Sequence, residues 1–139
     1  MGLVKYLGGF SGDGGPATET LLNDPENIAV DTAGNVYISD VLNYRNRRID
    51  ANTGIISTIA GTGIKGFSGD GGPALRAQIS TPSGIAIDGA GQIYFGDQAN
   101  HPIRVLVPYS DVHNLRRARV KNRHRRLFWL RAAGFRDES

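Results

Sequence analysis

The chain has 139 residues, of which 40% are hydrophobic and 21% charged, and this composition is ordinary for one globular domain or a piece of one. It contains no cysteine, which excludes a disulfide framework, a thiolate zinc site and a cysteine nucleophile. The 19 glycines exclude a helical bundle over the first two thirds of the chain and predict many tight turns. No apolar run of about 18 residues is present, so no transmembrane segment is expected, and the N-terminal sequence lacks the pattern of a signal peptide.

The net charge of +3 is distributed unevenly along the chain. Residues 1–100 carry six Lys/Arg against ten Asp/Glu, a net of −4, whereas residues 101–139 carry ten against three, a net of +7. The acidic body and the basic tail therefore need separate interpretations.

An internal repeat is the strongest signal in the sequence. The run FSGDGGPA occurs at residues 10–17 and again at 67–74, an offset of 57 residues. With the same offset and no gap, residues 10–49 and 67–106 share 18 identities in 40 positions. The chain is therefore expected to contain two copies of one structural unit.

Short β-branched segments separated by turn residues predict strands in each copy. In chain order they cover residues 27–31, 35–39, 47–50 and 55–60, followed by a Gly-rich connection at 61–72. The second copy repeats three of them at 84–88, 92–96 and 103–107. Hairpin-sized links between the first two strands of each copy predict antiparallel pairing.

Four short antiparallel strands that recur along a chain are typical of the blades of a β-propeller. The predicted fold class is all-β, a partial β-propeller with one blade at about 28–60 and an incomplete blade at about 85–107. Residues 1–107 form this propeller part, and residues 108–139 form a basic tail that is disordered or helical.

The run PSGIAIDGAGQIYFGDQANHPIR at 82–104 resembles an NHL repeat, and PENIAVDTAGNVYISDVLNYRNRR at 25–48 is a looser copy. The run TIAGTGIKGFSGDGGPA at 58–74 resembles the Gly-rich linker between blades of a bacterial subgroup that is similar to the teneurin propeller. The resemblance covers about residues 3–106. It implies that relatives are often secreted or on the cell surface.

The resemblance implies a non-catalytic scaffold or binding module that contacts a protein or another ligand through propeller loops, as a fragment of a larger protein. Two alternatives stay open: a fragment of a propeller enzyme of the lyase or hydrolase type, and a nucleic-acid-binding protein assisted by the basic tail. No catalytic, cofactor-binding or metal-binding residue is predicted.

Polar residues that recur with fixed spacing in both copies are expected to be structural, because an active site is usually built once and a scaffold repeatedly. The aspartate of each first turn can accept turn amides, and its glycine can adopt positive φ. The later arginine is expected to bridge strands or blades. These structural positions are Asp31, Gly34, Asp40, Asn43, Arg47, Asp88, Gly91, Asp97, Asn100 and Arg104.

Asp13 and Asp70 lie in the two SGDGG loops. Acidic Gly-rich loops offer oxygen ligands to calcium, but one carboxylate per loop is few for such a site. We therefore expect these aspartates to cap the turns.

The basic tail has three open interpretations. Its seven cations at 112–126 could bind nucleic-acid phosphates or an anionic membrane, with Leu115, Val120 and residues 127–130 forming an apolar helical strip. A solvated tail is the second interpretation, and out-of-frame translation is the third, because the tail begins where the repeat should continue. The seven residues are Arg116, Arg117, Arg119, Lys121, Arg123, Arg125 and Arg126.

Two blades cannot close a ring, so an apolar face and an unpaired strand edge are expected to be left over. The sequence therefore predicts either part of a longer propeller or self-association through open blade edges.

Overall fold

The described residues of the protein form two four-stranded antiparallel sheets that are joined by a Gly-rich linker. The structure, a computed structural model, describes residues 8–99, 102–108 and 128–132. Within those ranges, no helix has the length and hydropathy that are needed to cross a bilayer.

The first sheet has the strand order β1-β2-β3-β4 and the second the order β5-β6-β7-β8. Short 3-10 turns at Ala17–Glu19, Val41–Asn43 and Ala74–Arg76 lie between strands. The strands are β1 Pro25–Val30, β2 Val36–Asp40, β3 Arg45–Ile49, β4 Ile56–Ala60, β5 Pro82–Ile87, β6 Ile93–Asp97, β7 Ile103–Pro108 and β8 Phe128–Ala132.

The predicted fold class is confirmed, since each sheet is a four-stranded antiparallel blade. The prediction of an incomplete second blade is wrong, because β8 pairs with β7 and supplies the fourth strand. Strand β8 lies in the range that the sequence analysis assigned to a disordered or helical tail. Its extended backbone at residues 128–130 differs from the helical strip that one interpretation of the tail placed there, and residue 127 lies outside the described residues.

The Gly-rich linker before each sheet pairs with the outer strand of that same sheet. In the first sheet, the N–H of Gly14 donates to the carbonyl oxygen of Ile56 at 2.8 Å, and the N–H of Ile56 donates to Gly15 at 3.1 Å. In the second sheet, Gly71 donates to Leu130 at 2.7 Å and Leu130 donates to residue 72 at 2.9 Å. Leu130 is therefore the structural equivalent of Ile56.

This pairing protects the outer edges that the sequence left open. A bare edge strand presents unpaired N–H and C=O groups that can template association with another chain. At Ile56 and Leu130 the linker backbone already occupies those groups. At these two positions, the groups that self-association through the outer edges would use are already paired.

The core lies between the two sheets. We call the face that carries Ile28, or Ile85 in the second sheet, the front face, and the face that carries Tyr37, or Tyr94, the back face. The front face of the second sheet packs on the back face of the first, with Tyr37 fully buried at the contact. This inter-sheet core comprises Tyr37, Ile59, Ala60, Ala74, Ala77, Ile79, Ile93, Phe95, Leu106, Phe128 and Leu130.

Two linker glycines have the same backbone conformation but different surroundings. Gly69 has φ of +90° and Gly71 has φ of +84°. A Cβ on Gly69 would lie 2.7 Å from the Cα and Cβ atoms of Ala77, whereas a Cβ on Gly71 would meet nothing within 4 Å.

We expect Gly69→Ala to destabilise the chain more than Gly71→Ala. Both variants incur the backbone cost of a left-handed alanine, about 1–2 kcal/mol, and only Gly69→Ala adds a clash with the linker. Urea unfolding of the two variants checks the difference. Equal unfolding midpoints would show that the linker does not pack as described.

Candidate functional site

A buried arginine joins the linker to the first sheet. The side chain of Arg47 is fully buried on β3. Its Nη2 donates to the carbonyl oxygen of Ser11 and to Oδ1 of Asp13, both at 2.8 Å, and its Nη1 donates to the carbonyl oxygen of Leu21 at 3.0 Å. Nη1 also lies 3.5 Å from Oδ2 of the fully buried Asp40. One guanidinium thus connects two parts of the linker to the sheet, the part at Ser11 and Asp13 and the part at Leu21.

The second sheet repeats this arrangement around Arg104, which is also fully buried. Nη2 of Arg104 donates to the carbonyl oxygen of Ser68 at 2.6 Å, and Nη1 donates to that of Gln78 at 2.8 Å. Asp70 accepts from Nε and Nη2 at 3.1 and 3.0 Å, and Asp97 lies 3.3 Å from Nη1. The two networks use equivalent residues of the repeat.

Each arginine also faces an aromatic ring of its linker. The guanidinium carbon of Arg47 lies 4.8 Å from the ring centroid of Phe10, and that of Arg104 lies 4.6 Å from Phe67. Both distances are within the range of cation–π attraction. The aromatic residue that opens each FSGDGGPA run therefore contacts the same cation as the aspartate within that run.

The buried aspartates at the ends of β2 and β6 accept backbone amides as well. Oδ1 of Asp40 accepts the N–H of Asn23 at 2.8 Å, and its Oδ2 accepts the side-chain amide of Asn43 at 2.8 Å. Oδ1 of Asp97 accepts the N–H groups of residues 80 and 81, both at 3.1 Å. These carboxylates hold the segment that enters each sheet.

Asp13 and Asp70 act as partners of the two arginines, which the sequence analysis did not expect. Oδ1 of Asp13 pairs with Arg47, and its Oδ2 accepts the hydroxyl of Thr58 at 2.6 Å. Both oxygens of Asp13 are thus engaged by protein groups, and the expected turn capping is replaced by an ion pair. Among the described residues, no group of three His, Asp or Glu side chains could hold a metal ion.

The turn between β1 and β2 is organised by Asp31. Its Oδ1 accepts the N–H groups of Ala33 at 3.0 Å and Asn35 at 2.9 Å, and its Oδ2 accepts the hydroxyl of Tyr37 at 3.0 Å. Gly34 closes the turn with φ of +86°.

The turn between β5 and β6 is built in the same way around Asp88. Its Oδ1 accepts the N–H groups of Ala90 and Gln92, both at 2.9 Å, and its Oδ2 accepts the hydroxyl of Tyr94 at 3.1 Å. Gly91 has φ of +82°. The two repeated turns therefore share these three hydrogen bonds, and Asp31 also accepts one from the side-chain amide of Asn35 at 2.9 Å.

The hydrogen bonds at the first turn predict a loss of stability in acid. Partial burial acts to raise the pKa of Asp31, but bonds from Asn35, Tyr37 and Ala33 outweigh it and lower the pKa from its ordinary value. A carboxyl with a lowered folded-state pKa stabilises the fold above its unfolded pKa, and this contribution is lost as the pH falls below about 5.

We therefore expect Asp31→Asn to flatten the decline of the unfolding free energy in acid. Urea unfolding at a series of pH values measures this slope. Asp24→Asn removes the same formal charge from an exposed residue and is the control. If the slope in Asp31→Asn is as steep as in the wild type, Asp31 does not cause the loss of stability in acid.

Two clefts border these networks. One, of about 300 Å³, lies between the Asp31 and Asp88 turns and is lined by exposed Thr32 and Gly89. The other, of about 350 Å³, lies between the outer strands of the first sheet and the second linker, and Arg48 and Leu75 line it. The described surface thus offers two concave sites, the second of which is also lined by Asp13 of the Arg47 network.

Several predicted residues are not described by the structure. Asn100 lies outside the described residues. Its equivalent in the first copy, Asn43, donates its side-chain amide to the carbonyl oxygen of Gly9 at 2.7 Å. The seven basic tail residues at 116–126 also lie outside them.

Comparisons with known proteins agree with this repeated geometry. Residues 9–66 match the family model of the teneurin NHL domain. NHL repeat-containing protein 2 of Gallus gallus is 35% identical over 69 residues, which are 49% of this chain and 9% of that protein. The chain contains NHL repeats. The protein SUPPRESSOR OF QUENCHING 1, chloroplastic, of Arabidopsis thaliana is 33% identical over 97 residues, which are 70% of this chain and 9% of that protein.

The NHL assignment that the sequence predicted is confirmed, and the family indicates a repeat scaffold or binding module. In these NHL repeats, the linker aspartate is the functional group that sequence reasoning misassigned. The sequence did contain a signal for this pairing, because Asp13 precedes Arg47 by 34 residues and Asp70 precedes Arg104 by the same interval. Each pair is separated by two strands, so only the fold brings the charges together.

Proposed function

We propose that the chain is a non-catalytic binding module that contacts proteins through the loops at the end of the sheets where the Asp31 and Asp88 turns lie. The observation that carries this proposal is the identical use of polar residues in both repeats. Arg47 and Arg104 are fully buried, and their terminal guanidinium nitrogens donate to the linker and to internal carboxylates. Their chemistry is therefore structural, and binding is left to exposed loops.

The cleft between the repeated turns is the surface that we assign to peptide contact. It is about 300 Å³ in volume and combines apolar Val30 and Ile87 with turn residues from both sheets. Its rim residues Thr32 and Gly89 are exposed and equivalent in the repeat. Rigid turns on a packed scaffold are a common basis for recognition, because the bound conformation costs little further ordering.

Selection of a phage-displayed random peptide library against the immobilised chain tests this function. Selected peptides are expected to lose about tenfold or more in affinity, about 1.4 kcal/mol, when Thr32 or Gly89 is replaced by arginine. Leu42→Arg is the matched control, because Leu42 is 47% exposed and lies in the turn at the opposite end of β2. No enriched peptide, or peptides that are indifferent to Thr32 and Gly89, would overturn the proposal.

Nucleic-acid binding is a second candidate because of the net charge of +7 in residues 101–139. A protein that neutralises phosphates binds with a steep dependence on salt. Deleting the tail is not a clean test, since it would also remove β8 and its buried residues Phe128 and Leu130. Replacing the seven cations at 116–126 with glutamine leaves β8 in place.

Fluorescence anisotropy with a labelled single-stranded RNA oligonucleotide measures this candidate activity. Binding that weakens steeply with salt and is lost in the seven-glutamine variant would support it. Equal binding by the variant, or no binding by the wild type at low salt, would rule out nucleic-acid binding through these cations.

A further inference from the structure

The front face of the first sheet exposes apolar side chains whose equivalents are covered in the second sheet. Ile28 and Val30 on β1 are 67% and 53% exposed. Their equivalents on β5, Ile85 and Ile87, pack against the core between the sheets. The apolar pair is therefore covered in the second sheet and exposed in the first.

The linker shows the same contrast. Three of its residues in the second repeat are fully buried against the first sheet, whereas the three equivalents in the first repeat are only half-buried. The buried residues are Ala74, Ala77 and Ile79, and the half-buried ones are Ala17, Thr20 and Leu22. The uncovered surface therefore extends from β1 to the first linker, while Ile38 and Ile56 on the same face are buried.

The complementary surface is the back face of the second sheet, whose exposed part lies on β5 and at the start of β7, since Val105 and Val107 on the same face are buried. Ile103 on β7 is 47% exposed and Ala86 on β5 is exposed on this face. Their equivalents on the back face of the first sheet are Asn46, which is fully buried, and Ala29, which is half-buried. The exchange of Asn46 for Ile103 makes the back face of the second sheet more apolar at this position.

We propose that the front face of the first sheet binds the back face of the second sheet of another copy of this chain. The contact places a β1 strand against a β5 strand, as the two sheets already do within one chain. It is heterologous, because the two surfaces differ, and such contacts form rings when the rotation closes. A ring of two, three or four copies of these two sheets would have the roughly four to eight blades that are usual for propellers.

Association through faces agrees with the closed outer edges. The linker occupies the edge groups at Ile56 and Leu130, so addition of a strand there would displace existing hydrogen bonds. The apolar front face needs no such rearrangement. The proposed contact shares Val30 with the turn cleft, but it does not depend on peptide binding there.

Sedimentation velocity over a range of concentrations tests the assembly with the full chain. The expected species has two, three or four times the chain mass of 14.9 kDa. Ile28→Asp and Ile103→Asp should each give a single-chain mass, because each places a charge in the apolar contact. Ile64→Asp is the matched control, since Ile64 is 62% exposed but lies in the linker between the sheets, and it should leave the assembly intact.

Cysteine cross-linking tests the head-to-tail geometry independently, and the chain has no cysteine of its own. Ile28→Cys chains mixed with Ala86→Cys chains should form mixed disulfides, whereas Ile28→Cys chains alone should remain unlinked. Three outcomes overturn the proposal: a single-chain mass at all concentrations, an assembly that resists both aspartate substitutions, and efficient linkage of Ile28→Cys to itself. Far-UV circular dichroism shows whether each variant keeps its sheets.

Discussion

Replacing Arg47 with alanine is expected to lower the free energy of unfolding by about 3–5 kcal/mol, because removal of one partner leaves a buried charge uncompensated. The stranded charge is the carboxylate of Asp40, which is fully buried. The linker also loses the hydrogen bonds that its carbonyl groups at Ser11 and Leu21 accept from the guanidinium. Arg104→Ala should cost a similar amount, since its network is equivalent.

Urea unfolding at a fixed protein concentration measures both variants, because the stability of an associating protein depends on concentration. Arg76→Ala is the control, since Arg76 is exposed and substitutions at such positions usually change stability by less than about 0.5 kcal/mol. Arginine variants that unfold like Arg76→Ala would show that the networks contribute little to stability.

Replacing Leu130 with alanine is expected to destabilise the chain by about 2–5 kcal/mol, the cost of truncating a buried leucine. Leu130 is fully buried in the core between the sheets, and both its N–H and C=O pair with the linker. A leucine in a solvated tail would instead tolerate the change. The variant therefore tests whether β8 completes the second sheet.

Leu42→Ala is the matched control for this prediction, because Leu42 is 47% exposed and loses the same atoms. Chemical unfolding followed by circular dichroism compares the two variants. Similar midpoints for Leu130→Ala and Leu42→Ala would contradict the docking of β8.

The sequence predicted six of the strands β1 to β7 because two independent signals agreed on them. Short β-branched runs favour strands locally, and the offset of 57 residues pairs β1, β2 and β3 with β5, β6 and β7, whereas β4 rested on its β-branched run alone. The turns at Asp31 and Asp88 were predictable for the same reason, since their hydrogen bonds join residues within a few positions of each other.

Strand β8 was missed because both signals fail there. The repeat offset breaks after β7, and Leu130 corresponds to Ile56 only once the linker pairing is known. A short apolar run such as that at 128–130 does not by itself distinguish strand from helix. The charge run before it indicated a solvated tail and outweighed the strand signal.

The arginine networks were only partly predictable. Recurrence indicated a structural role for Arg47 and Arg104, but not their partners. Asp13 and Asp70 sit among glycines, where an aspartate usually serves its own turn. Their pairing with arginines two strands away depends on how the linker lies against the sheet, and no local propensity determines that path.

The linker that covers each outer strand also constrains the order in which the chain can fold. Gly14 pairs with Ile56, which follows it by 42 residues. At synthesis rates of about 5–20 residues per second, roughly 2–8 s separate the two. The early linker must wait for the last strand before its sheet is complete, and contacts of such long sequence separation slow folding. Each blade can therefore complete its fold only after its C-terminal strand has left the ribosome, so the two blades fold one after the other.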